Sequence, residues 1–220
     1  MIRTDRMPHD AAIATAIAAG SICGGVAGWA ANLLAARFVP ATLRRSSWIA
    51  IAGGAVLTPW VLVLSESWLV AAASLFLVAM LLALAIIDAA TLRLPDLLTF
   101  PMIAVGLIMA PAMGEEVVSR LVGAVLGYVV IAVLAEAFRR TSGREGIGLG
   151  DAKLLAGAGA WLGWAALPSV LLIACGAAFA WVAARAVAHG RQGLAAPLPF
   201  GPPLALAFLA TWTARLAHWI

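Results

Sequence analysis

Long apolar runs, broken at intervals by arginine, aspartate, glycine or proline, make up nearly all of this chain. They fall near residues 12–36, 48–64, 68–88, 97–113, 117–138, 151–164, 168–188 and 202–219. A bilayer core takes roughly 20 helical residues per crossing, so the pattern predicts an all-α fold, a polytopic transmembrane helix bundle of about eight helices. The second and sixth runs are short, and Pro59 and Pro168 are placed to kink or divide their segments. Gly20, Gly24 and Gly28, and again Gly123 and Gly127, have the small-residue spacing that lets helices approach closely in lipid.

Composition fixes the same class. Hydrophobic residues make up 64% of the chain and charged ones 11%, with a mean hydropathy of +1.04, far from the balance of a soluble domain. The pI near 10.0 would suggest nucleic acid in a soluble protein. Here the basic residues lie in loops beside apolar runs, where they orient helices, so the expected partner is the lipid bilayer and no nucleic acid. Arg37, Arg44, Arg45, Arg93, Arg139, Arg140, Arg144, Lys153, Arg185 and Arg191 fall on one side of the expected topology, ten of the 14 Lys and Arg. Arg3, Arg6, Arg120 and Arg215 fall on the other. The excess marks the cytoplasmic side, and both chain ends are expected outside.

The run after Arg3 and Arg6 imitates a signal peptide but continues to about Phe38, long enough to span and stay. Cys23 follows the bulky Ile22, which argues against lipoprotein processing. Cys23 and Cys175 are the only cysteines; they make no disulfide framework or zinc site and are expected as small buried packing residues. Trp48, Trp68, Trp164 and Trp219 fall near span ends and suit interfacial anchoring.

The chemistry centres on acids. Asp88 and Asp151 both fall at the cytoplasmic face of the expected topology, although aspartates played no part in the charge count. Ionisable groups at membrane depth are costly and mark function. Asp88 at the end of its helix opposes the helix dipole, which is a penalty unless something compensates; a solvated interfacial carboxylate is the alternative. Asp96 follows Pro95 and is expected to cap the next helix. Asp151 opens the sixth helix, where a cap is also an ordinary role. Gly146, Gly148 and Gly150 shift that reading, because glycine permits positive φ and close passage of a neighbouring helix or an extended substrate. Lys153 is expected to point away from Asp151 and to snorkel to the headgroups.

Two carboxylates held a few ångströms apart cannot both ionise easily, so one keeps its proton while the other stays charged. The charged member can take a proton from water, and the protonated member can polarise a scissile carbonyl. Such a pair titrates as a unit, so neither role is assigned to a particular aspartate. No metal and no cofactor is expected, and His9, His189 and His218 show no ligand spacing.

These residues resemble the type IV prepilin peptidases, the GxGD aspartyl peptidases. Asp88 through Pro95, Asp96, Leu98 and Thr99 match the stretch opened by the family's first aspartate. Gly148, Gly150, Asp151, Lys153, Leu154 and Trp161 to Gly163 match the second. Leu198, Pro199, Phe200, Gly201 and Pro202 resemble the family's C-terminal turn. The resemblance implies a catalytic pair at Asp88 and Asp151. It also implies substrate-binding or site-shaping roles for Gly148, Gly150, Asp96, Lys153, Pro199, Phe200 and Gly201.

By the same resemblance the partner is a prepilin or pseudopilin precursor of a type IV pilus or secretion system, cut at the cytoplasmic face of the bacterial inner (plasma) membrane. Residues 1–66 would be N-terminal transmembrane helices, and residues 67–220 the peptidase domain. The loop near 37–47 has no cysteine, unlike the long family members with two CxxC pairs, which puts N-methyltransferase activity in doubt. A proton or ion transporter, a catalytically silent assembly factor of a pilus or secretion system and, more weakly, a metal-dependent phosphotransferase remain as other classes.

Overall fold

The computed structural model describes residues 21, 23–39, 58, 61–65, 67–143, 148–195 and 198–217. The helices with described bounds are α1 (Cys23–Ala35), α2 (Trp68–Thr91), α3 (Asp96–Ala112), α4 (Val117–Ser142), α5 (Leu149–Leu162), α6 (Leu167–Ala195, broken at Gly190) and α7 (Gly201–Leu216); residues 61–63 are helical as well. A 3₁₀ turn, Trp164–Ala166, leads into α6. No strand occurs among the described residues, and the all-α bundle read from the apolar runs is the observed architecture. Pro59, Gly20, Trp48, Trp219 and most of the second expected span lie outside the described residues.

Among the described residues, three stretches are long and apolar enough to cross a membrane: Trp68–Thr91, Val117–Ser142 and Trp164–Ala188. The sixth expected span is not among them. At 14 residues, α5 is roughly 21 Å long, short of a hydrocarbon core of about 30 Å. It lies inside the bundle instead, packed against α4, α3 and α7, and every residue from Leu154 to Leu162 is buried. Pro168 divides nothing. It sits in the first turn of α6, where its missing N–H is no loss, and Gly163 makes the turn between α5 and α6 with φ 81°.

Backbone proximity sets the α4–α5 contact. A Cβ on Gly123 would stand 2.6 Å from the Gly159 carbonyl oxygen, and one on Gly127 would stand 2.5 Å from that of Leu155. Two indoles bind α5 to its other neighbours. Trp161 donates to the Met102 carbonyl of α3 at 2.8 Å, and its ring meets Trp212 of α7 edge to face at 5.2 Å. Trp212 in turn donates to Ser74 of α2 at 3.1 Å. Both rings are fully buried and both N–H groups are satisfied, as burial requires.

Cys23 and Cys175 are exposed, contrary to the expected burial. In a membrane bundle the outward face is as apolar as the core, so apolar surroundings in sequence do not separate the two. Trp68 and Trp164 are also exposed, each at the start of a crossing stretch.

Candidate active site

Helix α2 runs one turn beyond the expected end at 88, through Thr91. Leu92 closes it in the left-handed region (φ 54°, ψ 34°), its N–H donating to the Asp88 carbonyl at 2.8 Å. Asp88 therefore lies inside the last turn and its side chain faces the bundle. At 6% exposure it is not a solvated interfacial carboxylate.

What compensates its position at a helix C-terminus is the N-terminus of another helix: Gly201 N–H, at the start of α7, donates to Asp88 Oδ2 at 2.8 Å. Pro202 and Pro203 follow and have no N–H, while Leu204 N–H donates to the Phe200 carbonyl. The first turn of α7 thus offers the Gly201 donor to Asp88. A side chain there is excluded, since a Cβ on Gly201 would lie 2.6 Å from Asp88 Oδ2 and 2.8 Å from its Cγ.

Asp151 sits in the first turn of α5, whose N-cap is Gly148, with no side-chain capping bond. The cap role is therefore unfilled by Asp151. Its carboxyl is pushed up to about 7, first by burial and second by the charge of Asp88. The two aspartates line one cavity of about 340 Å³ together with Leu92, Arg93, Leu94, Gly148, Leu149, Gly150 and Lys153. A larger concavity of about 460 Å³ follows the outward face of α4 near Tyr128 and Glu136 and touches neither aspartate. Size is the weaker guide here; the two acids make the smaller cavity the candidate site.

The glycines work differently from expectation. Gly148 has φ −77°, and neither it nor Gly150 is among the positive-φ residues. Gly150 instead provides close passage: a Cβ there would stand 3.0 Å from Leu94 Cβ. The loop after Asp88 can therefore lie directly on the turn that carries Asp151. Gly146 lies outside the described residues.

Lys153 and Asp96 also depart from expectation. Pro95, not Asp96, is the N-cap of α3, and no side chain makes a capping bond there. Asp96 forms an ion pair with Lys153, whose Nζ also lies 5.7 Å from the centroid of Phe100. Lys153 thus bridges α5 to α3 with its headgroup inside the protein's own contacts. Spacing from Asp151 could not reveal this, because the partner comes from 57 residues away.

Of the C-terminal turn, Gly201 touches Asp88, Phe200 packs against the core, and Pro199 is half-buried and does not line the cavity. The sequence reading missed Leu92, Leu94 and Leu149 as cavity lining and took Arg93 for orientation alone. Its one available signal was position: all four lie within four residues of Asp88 or Asp151, or directly between Asp88 and Pro95. Among the described residues no three His, Cys, Asp or Glu side chains gather as a metal site. The side chains of His9, His189 and His218 are outside the described set.

Comparison with known proteins adds a second kind of observation. The family model described as "Type IV leader peptidase family" matches residues 75–183, which include both aspartates, Asp96 and Lys153. The chain is 44% identical over 142 residues to a prepilin leader peptidase/N-methyltransferase of Burkholderia pseudomallei (strain K96243), covering 64% of this chain and 46% of that protein. A relative of the same description in Aeromonas hydrophila is 39% identical over 155 residues, 67% of this chain and 51% of its own. One from Klebsiella pneumoniae is 48% identical over 105 residues, 47% of this chain and 46% of its own. The chain spans about half the length of the curated relatives it matches. No solved structure matches it significantly.

Proposed function

The chain belongs to the type IV leader peptidase family, and from that premise we propose that it is a membrane aspartyl endopeptidase that removes the leader from type IV prepilin or pseudopilin-like precursors. The observation that carries the reading is the shared cavity: Asp88 and Asp151, 63 positions apart in sequence, line one space of about 340 Å³. Asp88 is held there by the Gly201 N–H. Residues 67–220 are proposed as the peptidase domain.

The chemistry needs the pair to hold one proton. The ionised carboxylate takes a proton from water as the water oxygen adds to the scissile carbonyl carbon. The protonated carboxyl gives its proton to the carbonyl oxygen. Collapse of the resulting tetrahedral species returns a proton to the leaving amine and breaks the peptide bond. Closely spaced carboxylates favour this singly protonated state because a second charge beside the first is costly. The proposal covers leader cleavage and not N-methyl transfer.

We place the site at the cytoplasmic face of the bacterial inner membrane. The support is the distribution of basic residues, with Arg93, Arg139, Arg140 and Lys153 on the same side as the two acids. A prepilin held by a basic leader on that side would present its cut site there.

The direct test is to express a prepilin precursor with the wild-type chain, Asp88→Asn or Asp151→Asn, and to sequence the product's N-terminus. Cleavage should require both carboxyls. Full processing by either variant would remove the assignment.

A further inference from the structure

Lys153 poses a physical problem for a pair that must keep a proton. It lines the same cavity as Asp88 and Asp151, is two residues from Asp151 and carries an ammonium on a flexible stem. A cation placed within about 4–6 Å of the carboxylates would favour ionisation of both. The ammonium is instead drawn toward α3, where Asp96 takes it in an ion pair. Phe100, one turn further along the same face of α3, presents its ring 5.7 Å away, within cation–π range.

We propose that Asp96 and Phe100 act as a leash on Lys153, keeping its ammonium off the Asp88–Asp151 pair, so that Asp96 and Lys153 are positioning residues of the same reaction. This rests on the peptidase reading of the site.

Three observations support it. The pair is a poor stability device, because Asp96 is 54% exposed and Lys153 23% exposed, and such ion pairs contribute little to folding. The charge that raises Asp151 is that of Asp88, after burial, while the Lys153 ammonium is paired with Asp96. Among the described residues, the carboxylate outside the dyad that holds the ammonium is Asp96. The charged groups facing the cavity, again among the described residues, are Asp88 from α2, Arg93 from the α2–α3 loop, and Asp151 and Lys153 from α5, with Asp96 from α3 beside them. Helix α7 contributes the Gly201 N–H. The charges Glu136, Arg139 and Arg140 of α4 are engaged with one another.

Release of the leash has a signature that a purely structural pair lacks. In Asp96→Asn the ammonium can swing onto the aspartates and stabilise the doubly ionised state. The upper edge of the pH–rate profile should then move down by about one pH unit, in line with the effect of a nearby opposite charge. Removing the cation as well, in Asp96→Asn/Lys153→Met, should return the edge to its wild-type position.

The experiment measures cleavage of a purified type IV prepilin precursor against pH, using the full chain in proteoliposomes, for wild type, Asp96→Asn, Lys153→Met and the double variant. Asp151→Asn serves as a control in the same membranes. A downward shift in Asp96→Asn that the double variant reverses supports the leash. A lower rate with an unmoved edge, or a shift that Lys153→Met fails to reverse, overturns it. Processing by Asp151→Asn would instead overturn the peptidase reading itself, so the two failures are distinguishable.

Discussion

At the scale of single residues, the site depends on one backbone donor reaching one carboxylate. Gly201 is required for both reasons its position gives: its N–H is the donor to Asp88, and any Cβ would collide with the acceptor. Gly201→Ala should therefore displace Asp88 and lower the cleavage rate by about 100-fold, the scale of a misplacement near 1 Å. A rate measured per mole of correctly folded chain checks it, and a change under threefold would contradict it. A second expectation follows from Asp151, whose carboxyl is pushed up to about 7. The protonated form persists to near-neutral pH, so activity should fall as pH rises through about 7, when the pair loses its remaining proton. A pH–rate profile flat from 6 to 9 would be incompatible with that. The retained proton was legible in the sequence as soon as two acids were read as a pair, but the Gly201 contact was not: Gly201 and Asp88 are 113 positions apart, and no local pattern announces that a helix start will serve a helix end so far away.

Among the elements, the α4–α5 contact decides how firmly Asp151 is held. Here glycine matters through backbone approach, and its effect should change sign from place to place. At Gly123 a Cβ would meet the carbonyl oxygen of Gly159 at 2.6 Å and Gly163 backbone at 2.8 Å, so neither side can yield by side-chain rotation. Gly123→Ala should cost about 2 kcal/mol, the usual scale of overpacking. Gly176, in α6, has nothing within 4 Å of its Cβ position, and Gly176→Ala should be neutral or stabilise by up to about 1 kcal/mol through helix propensity alone. Thermal unfolding in detergent, followed by tryptophan fluorescence, would show the opposite signs, and equal shifts for the two would refute the packing account. The Gly123–Gly127 spacing was readable in the sequence because small-residue periodicity is local. Where helices stop was less so. Helix α4 runs past the expected end at 138 to Ser142 because Glu136 bonds both Arg139 and Arg140 at i+3 and i+4, and Gly143 closes it at φ 67°. Charges that mark a membrane boundary in hydropathy thus extend the helix into the next turn.

The molecule as a whole is polar from end to end, and that polarity ties the charge pattern to the chemistry. One end gathers Asp88, Asp151, Asp96, Lys153 and Arg93. The other gathers Glu115, which pairs with Arg215, and Arg120, which is fully buried and donates to the Gly106 carbonyl at 3.0 Å. Arg215 also donates to the Leu162 carbonyl at 2.7 Å, joining the last turns of α5 and α7. The sequence placed Arg120 and Arg215 together because alternation of loops requires it. It did not show that Arg215 holds the last turn of α5 or that Arg120 reaches the middle of α3, since the acceptors at Leu162 and Gly106 are backbone carbonyls and carry no residue-type signal. The same limit applies to α5: apolar composition marked it as membrane-embedded, but a helix surrounded by protein and one surrounded by lipid share that composition. The proposed orientation, with the acids on the cytoplasmic side, has a direct test. In a chain with Cys23→Ser and Cys175→Ser, a cysteine at Arg93→Cys should react with a membrane-impermeant maleimide in inverted vesicles and resist it in intact spheroplasts. Glu116→Cys, exposed at the opposite end, should show the reverse. Because Arg93 lines the cavity that holds both aspartates, its labelling also reports the face from which a substrate enters. Labelling of both positions from the same side would require the two ends of α3 to lie on one face, against the end-to-end separation of the charges.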